Sequence, residues 1–210
     1  PLDAFSSRES INLEEEHREA MVALRNGRTA VNLINKLIIN QNTKSNPESW
    51  QDEIPSVLGV ATWVGYDLDG RTDISWIDSF SFRLYEKIES LKNYKDALEK
   101  VSHSEVSKIK LKIEKELIRN ERIFSKFKNL KKNKSDFNEV MNLITDGSER
   151  LLSSKKLAQQ LHHIAKKTAS LDEKIEIMVL AADLNTHGFG MGEIHLRINA
   201  AVSYTHLTLP

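Results

Sequence analysis

A chain of 210 residues with 40% apolar content suits one domain or two small ones around a buried core. Thirty Lys plus Arg balance thirty Asp plus Glu, so no net field draws the chain to nucleic acid or to a membrane surface. The absence of cysteine excludes disulfides and thiolate metal sites and makes the cytoplasm the default compartment, and no apolar run approaches the roughly 20 residues that span a bilayer.

In chain order, Asn12 is a polar cap followed by acids in a first helical turn, where they complement the helix dipole. Met21, Leu24, Val31, Ile34, Leu37 and Ile38 then recur at helical spacing, predicting one long amphipathic helix over 12–42. The 42–47 run ends it before Pro47, because the residue preceding a proline is pushed out of the α region. Residues 54–64 are continuously apolar, with Gly and β-branched residues mixed in, and read as a buried segment, either helical or extended. Asp69-Gly70 is a turn dipeptide.

From Ser75 the 3.6 period resumes through Ile77, Phe80, Leu84, Ile88, Leu91, Leu98 and Val101. A second stripe runs over 104–130 through Val106, Ile109, Ile113, Leu117, Ile118, Phe124 and Phe127. The short break at Ser102-His103 predicts that these two helices form an antiparallel hairpin. The lysines of 131–134 read as a helix C-terminal turn, since no aromatic platform or net basic field accompanies them. Further helices are predicted over 136–146, 153–168 and 171–186. His162 and His163 are adjacent on one of them, so they do not face a shared metal. Gly188, Gly190 and Gly192 then alternate with apolar residues, and 194–198 alternates in the manner of a β-strand. The predicted fold class is therefore mainly α, with long helices, helical hairpins and one C-terminal strand.

The stretch from Trp63 to Asp73 concentrates Asp67, Asp69, Asp73, Arg71, Gly65 and Gly70 between long helices. Its spacing invites a calcium-loop reading and then defeats it, because positions six and twelve counted from Asp67 are Thr72 and Asp78 rather than Gly and Glu. Spacing alone describes a capped acidic turn.

The run Trp63, Gly65, Asp67, Asp69, Gly70 resembles the W-x-G-G-D-R-D-G-N motif of phosphoenolpyruvate carboxylase, with Tyr66 in place of the second glycine, Leu68 in place of the arginine and Arg71-Thr72 in place of Asn-Pro. Arg83-Leu84-Tyr85 resembles elements that follow in that family, and the segment from Thr186 to Arg197 stands where the family has T-F-G-x-x-x-x-x-L-D-x-R-Q. Aligning Arg197 with the family's substrate arginine requires a two-residue gap; His195 then takes the aspartate position and Ile198 the glutamine position. These departures resemble a divergent bacterial branch.

The resemblance implies carboxylation of phosphoenolpyruvate by bicarbonate to oxaloacetate and phosphate, supported by Mg²⁺ or Mn²⁺. Such a reaction demands guanidinium forks for phosphate and a divalent ion for the developing oxyanion. It implies Arg197 as the catalytic anion-binding residue and Asp67, Asp69, Gly70, Arg71 and His195 as substrate-binding or active-site wall residues. His187 fits a structural role better, whereas His195 shares a strand face with Arg197. The metal ligands, the catalytic histidine motif and the mobile glycine-rich loop are expected outside this sequence, as is the rest of a β-barrel core to which the C-terminal strand would belong. A homotetramer is implied for the full-length enzyme.

Residues 1–201 are accordingly expected to be an internal fragment of one such domain, inactive alone. Residues 202–210 resemble translated sequencing-adapter read-through and are set aside from fold reasoning. The rival reading is a helical scaffold or interaction protein in which the Asp-Gly turn is structural.

Overall fold

The computed structural model describes residues 11–69, 71–130, 137–147, 150–151 and 153–197. Gly70, Ile198, the 131–134 lysines and the 202–210 tail lie outside them. Among the described residues there are six helices: α1 (Leu13–Ser45), α2 (Trp76–Glu99), α3 (Ser104–Leu130), α4 (Phe137–Thr145), α5 (Ser154–Lys167) and α6 (Leu171–His187). Two short strands, β1 (Ala61–Thr62) and β2 (Glu193–Ile194), pair in parallel. The protein is mainly α-helical, and none of its described helices is long and apolar enough to cross a membrane.

Local chemistry sets the helix starts. Asn12 and Glu15 form a capping box at α1, and Ser75 and Asp78 form another at α2, so orphan backbone N–H groups are satisfied reciprocally at both. Ser153 and Ser170 cap α5 and α6 by accepting from the third residue of each. Helices α2 and α3 form the expected antiparallel hairpin, with Lys110 bridging to Glu99 near the turn and Lys87 reaching Glu116 farther along. Helices α5 and α6 make a second hairpin that packs on α1. The main core lies where these pairs meet, on fully buried Leu91, Tyr94, Ile113, Leu161, Ile177 and Leu184. A smaller cluster of Leu84, Ile123, Phe127 and Val140 seats α4.

Three expectations are corrected. The 54–64 run is largely uncovered: Val57 is 58% exposed, Leu58 49% and Trp63 55%. It has no regular structure before the strand at 61–62, where a single neighbour pairs with it, so no described element covers its outer face. The buried stripe of α1 also runs differently, through His17, Met21, Leu24, Arg28, Val31, Asn35 and Ile39, leaving Leu37 exposed. That stripe keeps to three- and four-residue steps only if polar residues are admitted to it. Ile118 of α3 is likewise exposed.

Candidate functional site

The two segments singled out in sequence meet in space. Ala61 pairs with Glu193 and Thr62 with Ile194, and farther along Asp67 bridges to Arg197 in the same parallel sense. Backbone bonds continue the pairing: Glu193 N–H donates to the Val60 carbonyl, His195 N–H to that of Thr62, Arg197 N–H to that of Tyr66, and Leu68 N–H to that of Arg197. Between them, Trp63 to Tyr66 make a tight turn in which Gly65 takes φ +82°, a conformation that glycine adopts without strain. A Cβ on Gly65 would stand 2.4 Å from the Phe82 ring, so the loop lies directly on α2. Gly192 is needed for close approach, since a Cβ there would stand 2.8 Å from the Val60 carbonyl oxygen across the strand pair.

On this frame Arg197 Nη1 donates to Asp67 Oδ2 at 3.2 Å. The Arg197 side chain is largely exposed, and its Nε and Nη2 have no partner among the described residues. The Asp67 carboxylate therefore orients the guanidinium and leaves donors open to an anion. Asp67 also receives the Asp69 backbone N–H at 3.4 Å, a long contact of the Asx-turn type. The Asp69 side chain is exposed. His195 follows on the strand with its side chain exposed.

Arg71 is engaged elsewhere. Its guanidinium forks onto Asp73 at 2.9 and 2.6 Å and reaches Glu16 of α1 at 3.0 Å. Those bonds, to Asp73 first and Glu16 second, raise its pKa further above the arginine range, and the same fork holds Asp73 below the usual carboxylate value. Arg71 thus staples the loop to α1. The structure brings together Asp67, Arg197 and the His195 backbone, and gives Arg71 a separate bracing role.

Behind the strands lie two buried polar clusters that sequence reasoning did not single out. In the first, Arg28 donates through Nε to Asp183 Oδ1 at 3.2 Å and through Nη2 to Oδ2, while its Nη1 donates to Ser90 Oγ and to the Gly190 carbonyl at 3.0 Å each. His187 Nδ1 lies 2.7 Å from Asp183 Oδ1, and its Nε2 accepts the Val60 N–H at 3.2 Å. Because Nε2 accepts, the proton sits on Nδ1 and is donated to Asp183. The triad locks α1 and α6 to the start of β1. The signal for it was an arginine in step with Leu24 and Val31, and an Asp-His pair four apart.

The second cluster centres on Glu86, which is fully buried. Its Oε1 accepts from Tyr66 Oη at 2.8 Å and lies 3.3 Å from His17 Nε2, and its Oε2 accepts from Arg83 at 3.1 Å. Burial first, and then the Glu86 charge, push the Tyr66 hydroxyl far above the ordinary phenol value, so it remains a donor. Tyr66 anchors the acidic loop to α2.

No protein-family model, curated protein or solved structure matches this chain.

Proposed function

We propose that this chain forms one wall of a phosphoenolpyruvate carboxylase active site and works as part of a longer protein. The observation that carries the reading is the parallel bridge from Asp67 to Arg197. Two segments that resemble that family separately, 130 residues apart, share one backbone ladder, and a carboxylate of the first orients the guanidinium of the second. In this reading the exposed N–H groups of Arg197 take the phosphate or the carboxylate of phosphoenolpyruvate through paired, charge-assisted bonds, and they hold the developing phosphate anion as bicarbonate attacks. Asp67 keeps the fork in place. Asp69 stands beside it, and His195 lies between β2 and Arg197.

Among the described residues no group of three or more His, Cys, Asp or Glu side chains is arranged to hold a metal ion, and in this reading the ligands of Mg²⁺ or Mn²⁺ belong to the rest of the longer protein. Asp67 is itself held by Arg197. In the same reading β1 and β2 belong to the β-barrel core of the complete enzyme. A scaffold role for the loop is the second reading, and the Arg71 staple to Asp73 and Glu16 favours it, because that arginine works structurally.

The test uses the protein encoded by the complete reading frame. Bicarbonate-dependent phosphate release from phosphoenolpyruvate, coupled to oxaloacetate formation, is the expected activity. Removing one preorganised donor set by Arg197→Ala should lower kcat/KM by about 100-fold or more. Absence of that activity in the wild type overturns the carboxylase reading, and wild-type turnover in Arg197→Ala overturns the assignment of Arg197.

A further inference from the structure

Between α1, α2 and the C-terminal half of α3 lies a cleft of about 640 Å³, a size that accommodates a small molecule. It shares no lining residue with the Asp67–Arg197 bridge. One wall is aromatic: the Tyr85 and Phe124 rings stand 6.0 Å apart, and the His17 ring stacks on Phe82 at 4.0 Å.

His17 gives the cleft its chemistry. The residue is 5% exposed, and its Nε2 faces Glu86, whose carboxylate already accepts from Tyr66 and Arg83. Nε2 is therefore the donor and Nδ1 the open acceptor. Nδ1 has no partner among the described residues, yet it is absent from the sealed, unpartnered polar atoms, which are confined to Asn32, Asn35 and Arg150. Its remaining access is through the cleft that His17 lines. Facing the cleft, this nitrogen is open to a donor from water or from a ligand.

The rim supplies charge. Lys128 has no carboxylate partner among the described residues and rests over the Phe124 ring at 4.9 Å, and Arg18 has only a 4.0 Å approach to Glu15. Glu14, which also lines the cleft, has no basic partner among the described residues, whereas Asp78 is engaged by the Ser75 cap. Stacking faces, one deep acceptor, two available cations and one free carboxylate together match a flat ring with an N–H donor, a sugar and an anionic group. Aromatic faces stack on any base, a carboxylate suits ribose hydroxyls, and cations suit a phosphate.

We infer that this cleft binds a purine mononucleotide. The base lies against Tyr85 and Phe124 and donates its exocyclic amine to His17 Nδ1; Glu14 accepts from the ribose, and Arg18 and Lys128 take the phosphate.

The probe is AMP, titrated into the 210-residue chain and followed by the nitrogen shifts of the His17 ring. Adenosine and inorganic phosphate are the comparison arms. AMP should move the His17 Nδ1 resonance in a saturable way and bind at least tenfold more tightly than adenosine or phosphate. The double change Arg18→Ala with Lys128→Ala should bring AMP down to the adenosine level. Because His17→Phe loses the bond to Glu86 and can weaken folding, the blocking variant is Val22→Trp, which fills the cleft from a half-exposed rim position. It should abolish the His17 response. An AMP titration that leaves Nδ1 unmoved, or AMP binding that Val22→Trp does not weaken, overturns the inference. So does equal binding of AMP and adenosine.

Discussion

His17 and His187 are both 5% exposed, both contact a buried carboxylate, and both lie on the inner face of a helix. They differ in one nitrogen. His187 uses both ring atoms, one on Asp183 and one on the Val60 N–H, so its environment is complete. His17 uses one and leaves the other open to a cleft. Burial alone therefore does not separate a scaffold histidine from a receptive one; the count of satisfied ring nitrogens does.

Asp183→Ala is expected to strike hardest, because it strands the Arg28 charge in a buried site and removes the acceptor of His187. A loss of about 3–5 kcal/mol follows for a broken buried pair, readable from the urea midpoint. Acid should reproduce part of this. Burial by itself pushes Asp183 upward, but the His187 hydrogen bond and the Arg28 guanidinium outweigh it and hold its pKa below the ordinary aspartate value. A carboxylate depressed in the folded state contributes stability that is present above its unfolded pKa of about 3.9 and is lost as pH falls through the folded value. Urea midpoints should accordingly drop as pH falls below about 4. The drop should be shallower in Asp183→Asn, and an unchanged acid slope would show that the saturated cluster does not govern acid stability.

On the other side, Glu86→Gln should cost about 1–3 kcal/mol, since one of its buried donors loses its acceptor. Tyr66→Phe removes a single hydroxyl from the same carboxylate and should cost about 1 kcal/mol, measured by the same denaturation. Arg197→Ala should change stability by less than about 0.5 kcal/mol, because its bridge to Asp67 is at the surface. A large loss there would turn the Asp67 bridge into another scaffold element and blur the contrast between site and frame.

Much of the helical frame was legible because its signals are local. The capping residue Asn12, the regular stripes of α2 and α3, and the short break at Ser102-His103 each act within a few residues of the element they define. The parallel meeting of the 61–67 and 193–197 segments was not legible from either alone, since each supplies only one edge of the pair. The ladder supplies that geometry. The buried polar clusters escaped because nothing local marks Arg28 or Glu86 for burial; only a distant partner, Asp183 or Tyr66, offsets its cost. The apolar 54–64 run misled for the converse reason: hydrophobic sequence favours burial, but only a neighbouring element can provide it.

The bridge that closes the loop joins positions 130 residues apart, and this separation fixes an order of assembly. The α2–α3 and α5–α6 hairpins rest on contacts close in sequence and form early, whereas the strand pair waits for a long loop to close. At ribosomal rates the interval between emergence of Asp67 and of Arg197 is roughly 6 to 26 s. Throughout that time Ala61 and Thr62 offer an unpaired strand edge beside Val57, Leu58 and Trp63, which leaves this segment open to chaperones or to pairing with another copy.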